Sequence, residues 1–161
     1  MFFVLLSALL LTGFPAKAFE DMPLSVAVTR PTTSHVAVLE MVQRGEDPDT
    51  PDKDGMTPLM LAARHAKDPL IIDVLISSGA KVDRRNLFTG QTALFYALRY
   101  SKDPKVPRAL LRYGASVSLR DLRGRGVTKM LADNPALPAD LLDDYLTIEE
   151  GSPSSGESAS R

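Results

Sequence analysis

Residues 52–63 read Asp52-Lys53-Asp54-Gly55-Met56-Thr57-Pro58-Leu59-Met60-Leu61-Ala62-Ala63, and this stretch sets the architecture of the chain. Its key positions return 35 residues later in Thr89-Gly90-Gln91-Thr92-Ala93-Leu94-Phe95-Tyr96-Ala97. The same interval of 35 separates Gly79 from Gly114. A register that is kept at several independent points indicates an internal structural repeat.

The amino acids at equivalent positions of the repeat predict a pair of short helices. Thr57 and Thr92 are expected to cap the first helix through their hydroxyls, and Pro58 suits a first helical position. Asp68-Pro69 and Asp103-Pro104 break the chain and start a second helix. Its apolar stripes are Ile71, Val74 and Leu75 in one copy and Val106, Ala109 and Leu110 in the next. Gly79 and Gly114 are expected to end that helix.

Weaker copies flank the two clear ones. Pro23-Leu24-Ser25-Val26-Ala27-Val28 lies 35 residues before the segment that begins at Pro58. On the other side, Gly126-Val127-Thr128-Lys129-Met130-Leu131-Ala132 resumes the pattern one residue late, and Leu141 to Leu146 predicts a closing helix. We therefore predict a domain at 19–150 with repeats at about 22–52, 53–87, 88–122 and 123–147.

The pattern resembles the ankyrin-repeat family, over roughly residues 22 to 147. The resemblance implies an all-α ankyrin-repeat solenoid of about four helix-turn-helix repeats with projecting hairpin loops, here called fingers. The usual family repeat is about 33 residues; the extra length lies around Asp68-Pro69 and Asp103-Pro104. The family's usual histidine after Thr-Pro-Leu is replaced by Met60 and Phe95.

The resemblance also implies a protein partner, held by the fingertips and by the groove at the ends of the first helices. Phe88 is the foremost candidate anchor, because aromatic and arginine side chains dominate binding energy at interfaces; the alternative is that it covers the neighbouring repeat. The predicted partner-binding residues are Lys53, Asp54, Met56, Arg64, His65, Arg84, Arg85, Phe88, Thr89, Gln91, Arg99, Tyr100, Arg123 and Arg125.

Residues 1–18 differ from the rest of the chain. Phe2 to Phe14 is almost wholly apolar, and Pro15-Ala16-Lys17-Ala18 fits signal-peptidase cleavage. We expect a signal peptide, export to the periplasm and no stable membrane insertion after cleavage. The basic residue that usually precedes such a run is missing, so a wrongly assigned start or an N-terminal membrane anchor stays open. Residues 151–161 are rich in serine and glycine and predict a disordered tail.

Charge and composition narrow the function. The chain has 19 basic and 20 acidic side chains and no cysteine, which argues against a nucleic-acid partner and against disulfide or thiol chemistry. The two histidines and the scattered carboxylates suggest no catalytic, cofactor or metal site. The run Asp47, Asp49, Asp52 and Asp54 lacks the spacing of a calcium loop and is expected to cap turns. Acidic fingertips toward the N-terminus and arginines toward the C-terminus suggest steering of a partner with the opposite pattern.

These observations favour an exported, non-catalytic binding protein, monomeric when free. Its resemblance to small periplasmic bacterial ankyrin proteins implies inhibition of a cell-envelope enzyme such as a peptidoglycan hydrolase, in a self-protection or immunity role. The alternative is an accessory or scaffold protein for a periplasmic oxidative-stress enzyme such as catalase. An enzyme in its own right is the least favoured hypothesis.

Overall fold

The computed structural model describes residues 22–66 and 68–150, without the side chains of 147–150. The predicted signal peptide, the predicted tail and Lys67 lie outside the described residues. Eight helices lie within them: α1 Leu24–Ala27, α2 His35–Gln43, α3 Pro58–His65, α4 Leu70–Ser77, α5 Ala93–Tyr100, α6 Lys105–Arg112, α7 Val127–Ala132 and α8 Asp143–Glu150. The first six form three consecutive packed pairs, and α7 and α8 follow them in the chain.

The pairs stack side by side in two rows. The inner row packs α1 on α3, α3 on α5 and α5 on α7, and the outer row packs α2 on α4 and α4 on α6. No strand is present in the described part of the chain, where the two backbones of Arg120 and Gly126 form an isolated bridge. The predicted all-α ankyrin solenoid is confirmed.

The core follows the predicted stripes. Residues from both rows are almost fully buried, and the largest of them are Leu24, Leu59, Met60, Ile71, Ile72, Leu75, Leu94, Phe95, Leu98, Leu110, Met130 and Leu142. The small residues Ala62 and Ala97 are also buried, and they let neighbouring inner helices approach closely. A continuous apolar seam therefore runs along the stack, as expected where each unit contacts only its neighbours.

The first helices of the two clear repeats begin in different ways. The Oγ1 of Thr57 accepts a hydrogen bond from the Met60 amide at 3.3 Å, and Pro58 holds the first helical position. Thr92 occupies the same position at α5, but its hydroxyl makes no cap bond and has no partner within the described residues. The prediction that both threonines cap through the hydroxyl is right for Thr57 and wrong for Thr92.

The fourth repeat departs from the predicted register. The left-handed turn glycine is Gly124, with φ +73°, whereas Gly126 takes the N-cap position before α7. The repeat therefore starts earlier than the sequence pattern suggested. The closing helix begins at Asp143 rather than Leu141, because Leu141 and Leu142 form a buried turn ahead of it.

Polar side chains join successive repeats. Asp49 Oδ1 accepts from the Lys81 amide, and Asp83 Oδ1 accepts from the Ser116 amide, each at 3.0 Å. Asn134 closes the far end by donating from Nδ2 to the carbonyls of Leu98 and Ser101 at 2.9 Å each. These bonds fix the stacking register, which apolar contact alone leaves less specific.

Candidate functional site

The outer two fingers share one turn design. Asp52 Oδ1 accepts from the amides of Asp54 and Met56 at 2.9 Å, and Asp121 Oδ1 accepts from those of Arg123 and Arg125 at 2.9 Å. Each aspartate stands three residues before a turn glycine. The acidic residues therefore serve backbone turns at these fingertips, as the sequence predicted for Asp52.

The middle finger uses an asparagine and carries one more residue. Asn86 Oδ1 accepts from the amides of Phe88 and Thr89 at 2.8 and 3.0 Å, and its Nδ2 donates to the Asp54 carbonyl at 2.9 Å. Asn86 stands four residues before Gly90 and is buried. The longer turn projects Leu87 and Phe88, which are 84% and 70% exposed.

Apolar side chains bridge the fingers. The Phe88 ring lies against Gly55 of the preceding finger, where an added Cβ would be 3.0 Å from it. Leu122 in turn lies on Gly90, and its amide donates to the Thr89 carbonyl at 2.9 Å. Leu122 is also largely exposed. Leu87, Phe88 and Leu122 form what we call the apolar ridge. Phe88 thus covers the neighbouring finger and still presents most of its surface to solvent.

An aromatic cluster occupies the groove at the end of the inner helices. Tyr100 ends α5, and its ring lies under the guanidinium carbons of Arg64 at 4.6 Å and of Arg99 at 5.3 Å. Tyr96 stacks beside Tyr100 with ring centroids 6.4 Å apart. We call Arg64, Arg99 and Tyr100 the Tyr100 cluster. Two guanidinium groups on one ring are stabilised by the negative face of that ring.

A hydrogen bond connects the groove with the middle finger. The hydroxyl groups of Tyr96 and Thr89 are 3.3 Å apart. Tyr96, which stacks beside Tyr100, therefore contacts the residue that follows Phe88 of the apolar ridge. Partial burial, and then the neighbouring charge of Arg64, lower the pKa of His65. His65 is therefore neutral at pH 7, and the positive charge of this part of the groove comes from the arginines.

The predicted partner-binding residues separate into three groups. Ten are exposed: Lys53, Asp54, Arg64, His65, Arg85, Phe88, Thr89, Arg99, Tyr100 and Arg123. Arg84 and Arg125 are partly exposed and are held by Asp49 at 3.6 Å and by Asp121 at 2.7 Å. Met56 and Gln91 were predicted at the fingertip surface, and this placement is wrong because both are buried.

Burial of Met56 and Gln91 has a simple cause. Each follows its turn glycine and points back into the stack. Met56 joins the apolar core, and Gln91 Nε2 donates to Asp121 Oδ2 at 3.1 Å. Asp121 also accepts from Arg125 Nε at 2.9 Å. Burial raises the pKa of Asp121, but these hydrogen bonds outweigh it and lower the pKa to about 2.

Most of the fingertip charges that were predicted to steer a partner are bonded to other groups of the same chain. Asp49 is bonded to the next repeat, and Arg85 Nη2 donates to the Arg120 carbonyl at 2.6 Å. Arg120 Nη1 in turn donates to the Gly124 carbonyl at 3.1 Å. Fewer fingertip charges are therefore available for steering than the sequence suggested.

Sequence reasoning did not single out three features. Asn86 could have been found from its alignment with Asp52 and Asp121 across the fingers. Leu122 carried the same signal as Phe88, an apolar residue in a polar turn. The contact of His35 Nδ1 with Asp68 Oδ2, at 2.7 Å between successive repeats, had no signal in a single sequence. Ser34 caps the helix that begins at His35, and its side chain accepts a hydrogen bond from the Ala37 amide.

The described residues contain no group of three or more metal-ligating side chains. No helix among them has the length and apolar character required to cross a bilayer. The exposed side chains at the ridge and groove are apolar, aromatic and cationic, which suits contact with another macromolecule.

Comparison with known proteins agrees with this geometry. The sequence model of the family described as ankyrin repeats (3 copies) matches residues 17–121. The chain belongs to the ankyrin-repeat family. It is also similar to a mouse protein described as "Protein fem-1 homolog A-like", with 39% identity over 77 residues. That match covers 41% of this chain and 12% of the mouse protein, so the chain spans a small part of its relative's length.

Family membership identifies this ankyrin-repeat chain as a protein-binding module. Ankyrin-repeat domains are generally non-catalytic, and nothing here shows an enzymatic activity.

Proposed function

We propose that this ankyrin-repeat chain is an exported binding protein that holds one cell-envelope enzyme and inhibits it, as a self-protection protein against a peptidoglycan hydrolase would. The observation that carries the binding part is the apolar ridge beside the Tyr100 cluster. Tyrosine and arginine are over-represented among the residues that dominate interface energy. Two strongly exposed apolar side chains on one finger supply an anchor next to them.

Export is supported by the sequence of residues 1–18, with its apolar run and small residues before Ala18. Inhibition is supported by the shape of the surface: a finger projecting beside a groove can enter or cover the cleft of another protein. Fractionation of cells that express the full chain tests the location, and recovery in the cytosol alone would contradict it.

Affinity capture from the envelope fraction tests the binding surface. The variant carries Phe88→Ala and Tyr100→Ala, and a matched control carries Leu70→Ala and Tyr113→Ala on the outer face, where both side chains are also exposed. We expect the first pair to lose at least about 90% of the captured partner, since hot-spot truncation removes about 2 kcal/mol or more. The control pair should retain it. Equal retention by both would contradict the proposed surface.

The activity of the captured protein then decides the finer function. Suppressed hydrolysis of peptidoglycan on addition of the pure chain supports inhibition. Capture of an oxidative-stress enzyme such as catalase, with unchanged or higher activity, would support the accessory role instead.

A further inference from the structure

The Tyr100 cluster concentrates positive charge at one end of the inner helices. Arg64 and Arg99 come from successive inner helices, and both lie over the same ring. Neither guanidinium contacts an acidic side chain within the described part of the chain. Two like charges are thereby held together by an aromatic ring, and this arrangement leaves their hydrogen-bond donors free toward the groove.

Some of the other arginines in the described part of the chain are paired with carboxylates. Arg84 faces Asp49, Arg112 faces Asp73 and Arg125 faces Asp121, at 3.6, 3.6 and 2.7 Å. These are three of the eleven arginines in the described residues, so what distinguishes Arg64 and Arg99 is the ring of Tyr100 that both share. Two guanidinium groups that are held on one ring without an ion pair among the described residues attract a partner of opposite charge.

Asp133, whose pKa responds to the charge of Arg99, is already engaged with a lysine. Asp133 ends the neighbouring inner helix and accepts from Lys129 Nζ at 2.8 Å. That bond lowers the pKa of Asp133 most, burial opposes it, and the charges of Arg99 and Arg125 lower it further. The field of Arg99 therefore reaches the groove beyond its own repeat, while Asp133 is engaged with a lysine.

We propose that the Tyr100 cluster binds an acidic segment of the partner polypeptide, with carboxylates of that segment on Arg64 and Arg99. This inference rests on the proposed binding function and adds the chemistry of the partner. A guanidinium binds a carboxylate through two parallel hydrogen bonds, and its contact with Tyr100 orients it beforehand. The adjoining apolar ridge accepts a nearby apolar side chain of the same segment.

A polypeptide suits this surface better than a phosphate polymer. The chain is nearly neutral, with a formal charge of −1, and the exposed Asp54 adjoins the ridge through Gly55 and Asn86. A continuous polyanion would meet that carboxylate and the exposed Asp47 as well as the arginines. A short acidic segment places its charge at the cluster alone and keeps its apolar part on the ridge.

Fluorescence anisotropy of three labelled probes tests this inference with the full chain. The probes are a short peptide of glutamates with one central phenylalanine, the same peptide with lysines, and an oligothymidylate. The variant carries Arg64→Gln and Arg99→Gln. The matched control carries Lys105→Gln and Arg108→Gln, which remove two exposed charges from the outer helix α6. Thermal unfolding by circular dichroism confirms that both variants are folded.

We expect the acidic peptide to bind and the groove variant to weaken it about tenfold or more, whereas the control stays within about twofold of wild type. Tyr100→Leu should weaken binding severalfold, and Tyr100→Phe should restore it, because the ring face holds the guanidiniums. No binding of the acidic peptide, equal binding of the lysine peptide, or tighter binding of the oligothymidylate each overturns the inference.

The partner recovered by affinity capture separates this inference from the proposed function. If Phe88→Ala with Tyr100→Ala abolishes capture while Arg64→Gln with Arg99→Gln leaves it unchanged, the binding function stands and the acidic partner segment is wrong. If no protein is captured through the ridge, the proposed function itself fails.

Discussion

The middle and the third finger form their turns in the same way but differ in the apolar surface that they present. In both fingers, a buried polar side chain accepts hydrogen bonds from two backbone amides of its own turn. In the third finger the turn glycine, Gly124, comes three residues after Asp121. In the middle finger Gly90 comes four residues after Asn86, so that turn is one residue longer. Each tip presents a leucine after its anchor, Leu87 in the middle finger and Leu122 in the third, and the inserted residue adds the exposed Phe88 to the middle tip.

The comparison shows that different residues of a finger hold its turn and form its exposed surface. The anchor lies inside, where its hydrogen bonds set the turn, and the presented residues lie beyond it with little to hold them. Substitutions at the anchors should therefore affect stability, and substitutions at the presented positions should affect binding. The following predictions test that division, beginning with the largest expected effect.

Removal of the third-finger anchor should destabilise the protein most. Asp121→Ala leaves the amides of Arg123 and Arg125, the Gln91 amide group and the Arg125 guanidinium without their shared acceptor. We expect a loss of about 3 kcal/mol in the free energy of unfolding, because buried donors and a charge lose their partner. Urea denaturation measures it. Asp54→Ala, at an exposed carboxylate, is the control and should stay near wild type.

The two turn glycines of these fingers should respond differently to alanine. Both Gly90 and Gly124 have a positive φ, near +70°, which disfavours any residue with a Cβ. At Gly124 an added Cβ meets open space, whereas at Gly90 it would lie 2.9 Å from the Leu122 amide nitrogen. We expect about 1 kcal/mol lost at Gly124 and about 3 kcal/mol lost at Gly90, and equal losses would contradict the packing of Leu122 on this turn.

The anchor of the third finger should also make stability sensitive to acid. The pKa of Asp121 is lowered to about 2 in the folded protein from 3.8. A lowered folded pKa adds stability above the unfolded pKa, and that stability is lost as the pH falls through the folded value. The advantage of wild type over Asp121→Asn should therefore shrink by about 2 kcal/mol between about pH 5 and pH 2. A difference that is constant with pH would contradict this. The middle finger offers no such titration, since Asn86 is uncharged.

The threonines that precede the inner helices give a smaller test with opposite signs. Thr57→Val removes a cap bond and should lower the free energy of unfolding by about 1 kcal/mol. Thr92→Val removes a buried hydroxyl without a partner among the described residues, and should raise it by up to about 1 kcal/mol. Differential scanning calorimetry compares the two variants. A loss of similar size at both would show that Thr92 has a bond after all.

At the presented positions the effect on stability should be the smallest. Leu87→Ala alters a side chain that is 84% exposed and should change the free energy of unfolding by less than about 0.5 kcal/mol. Phe88→Ala also loses its contact with Gly55 and should cost about 1 kcal/mol or less. Large losses from either in chemical denaturation would mean that the ridge is a structural element rather than a presented surface.

Much of this fold was predictable because its repeats reuse local chemistry. Thr57 with Pro58, Asp68 with Pro69, and the glycines at the helix ends act within a few residues of their own position. Helix starts and ends can therefore be predicted from the sequence alone, and their common spacing of 35 residues indicates the repeat. The Tyr100 cluster was partly predictable for the same reason, since Arg64 and Arg99 hold equivalent places in successive repeats.

The remainder depended on contacts between repeats. Whether Met56 and Gln91 are exposed depends on how far the next finger covers them, and Thr92 lacks a bond although its sequence context matches that of Thr57. The register of the fourth repeat is set by which glycine takes the left-handed turn, and two were available within three residues, Gly124 and Gly126.

By itself the sequence determined a stack of paired helices, the location of their turns and the apolar seam that joins them, because these follow from propensity and periodicity along the chain. The tertiary structure alone decided which fingertip side chains are buried, which arginines are paired with carboxylates, and that two arginines lie over the ring of Tyr100. Most of those outcomes depend on contacts between residues that lie about one repeat apart, and the local pattern of a single chain does not report side-chain packing across that distance.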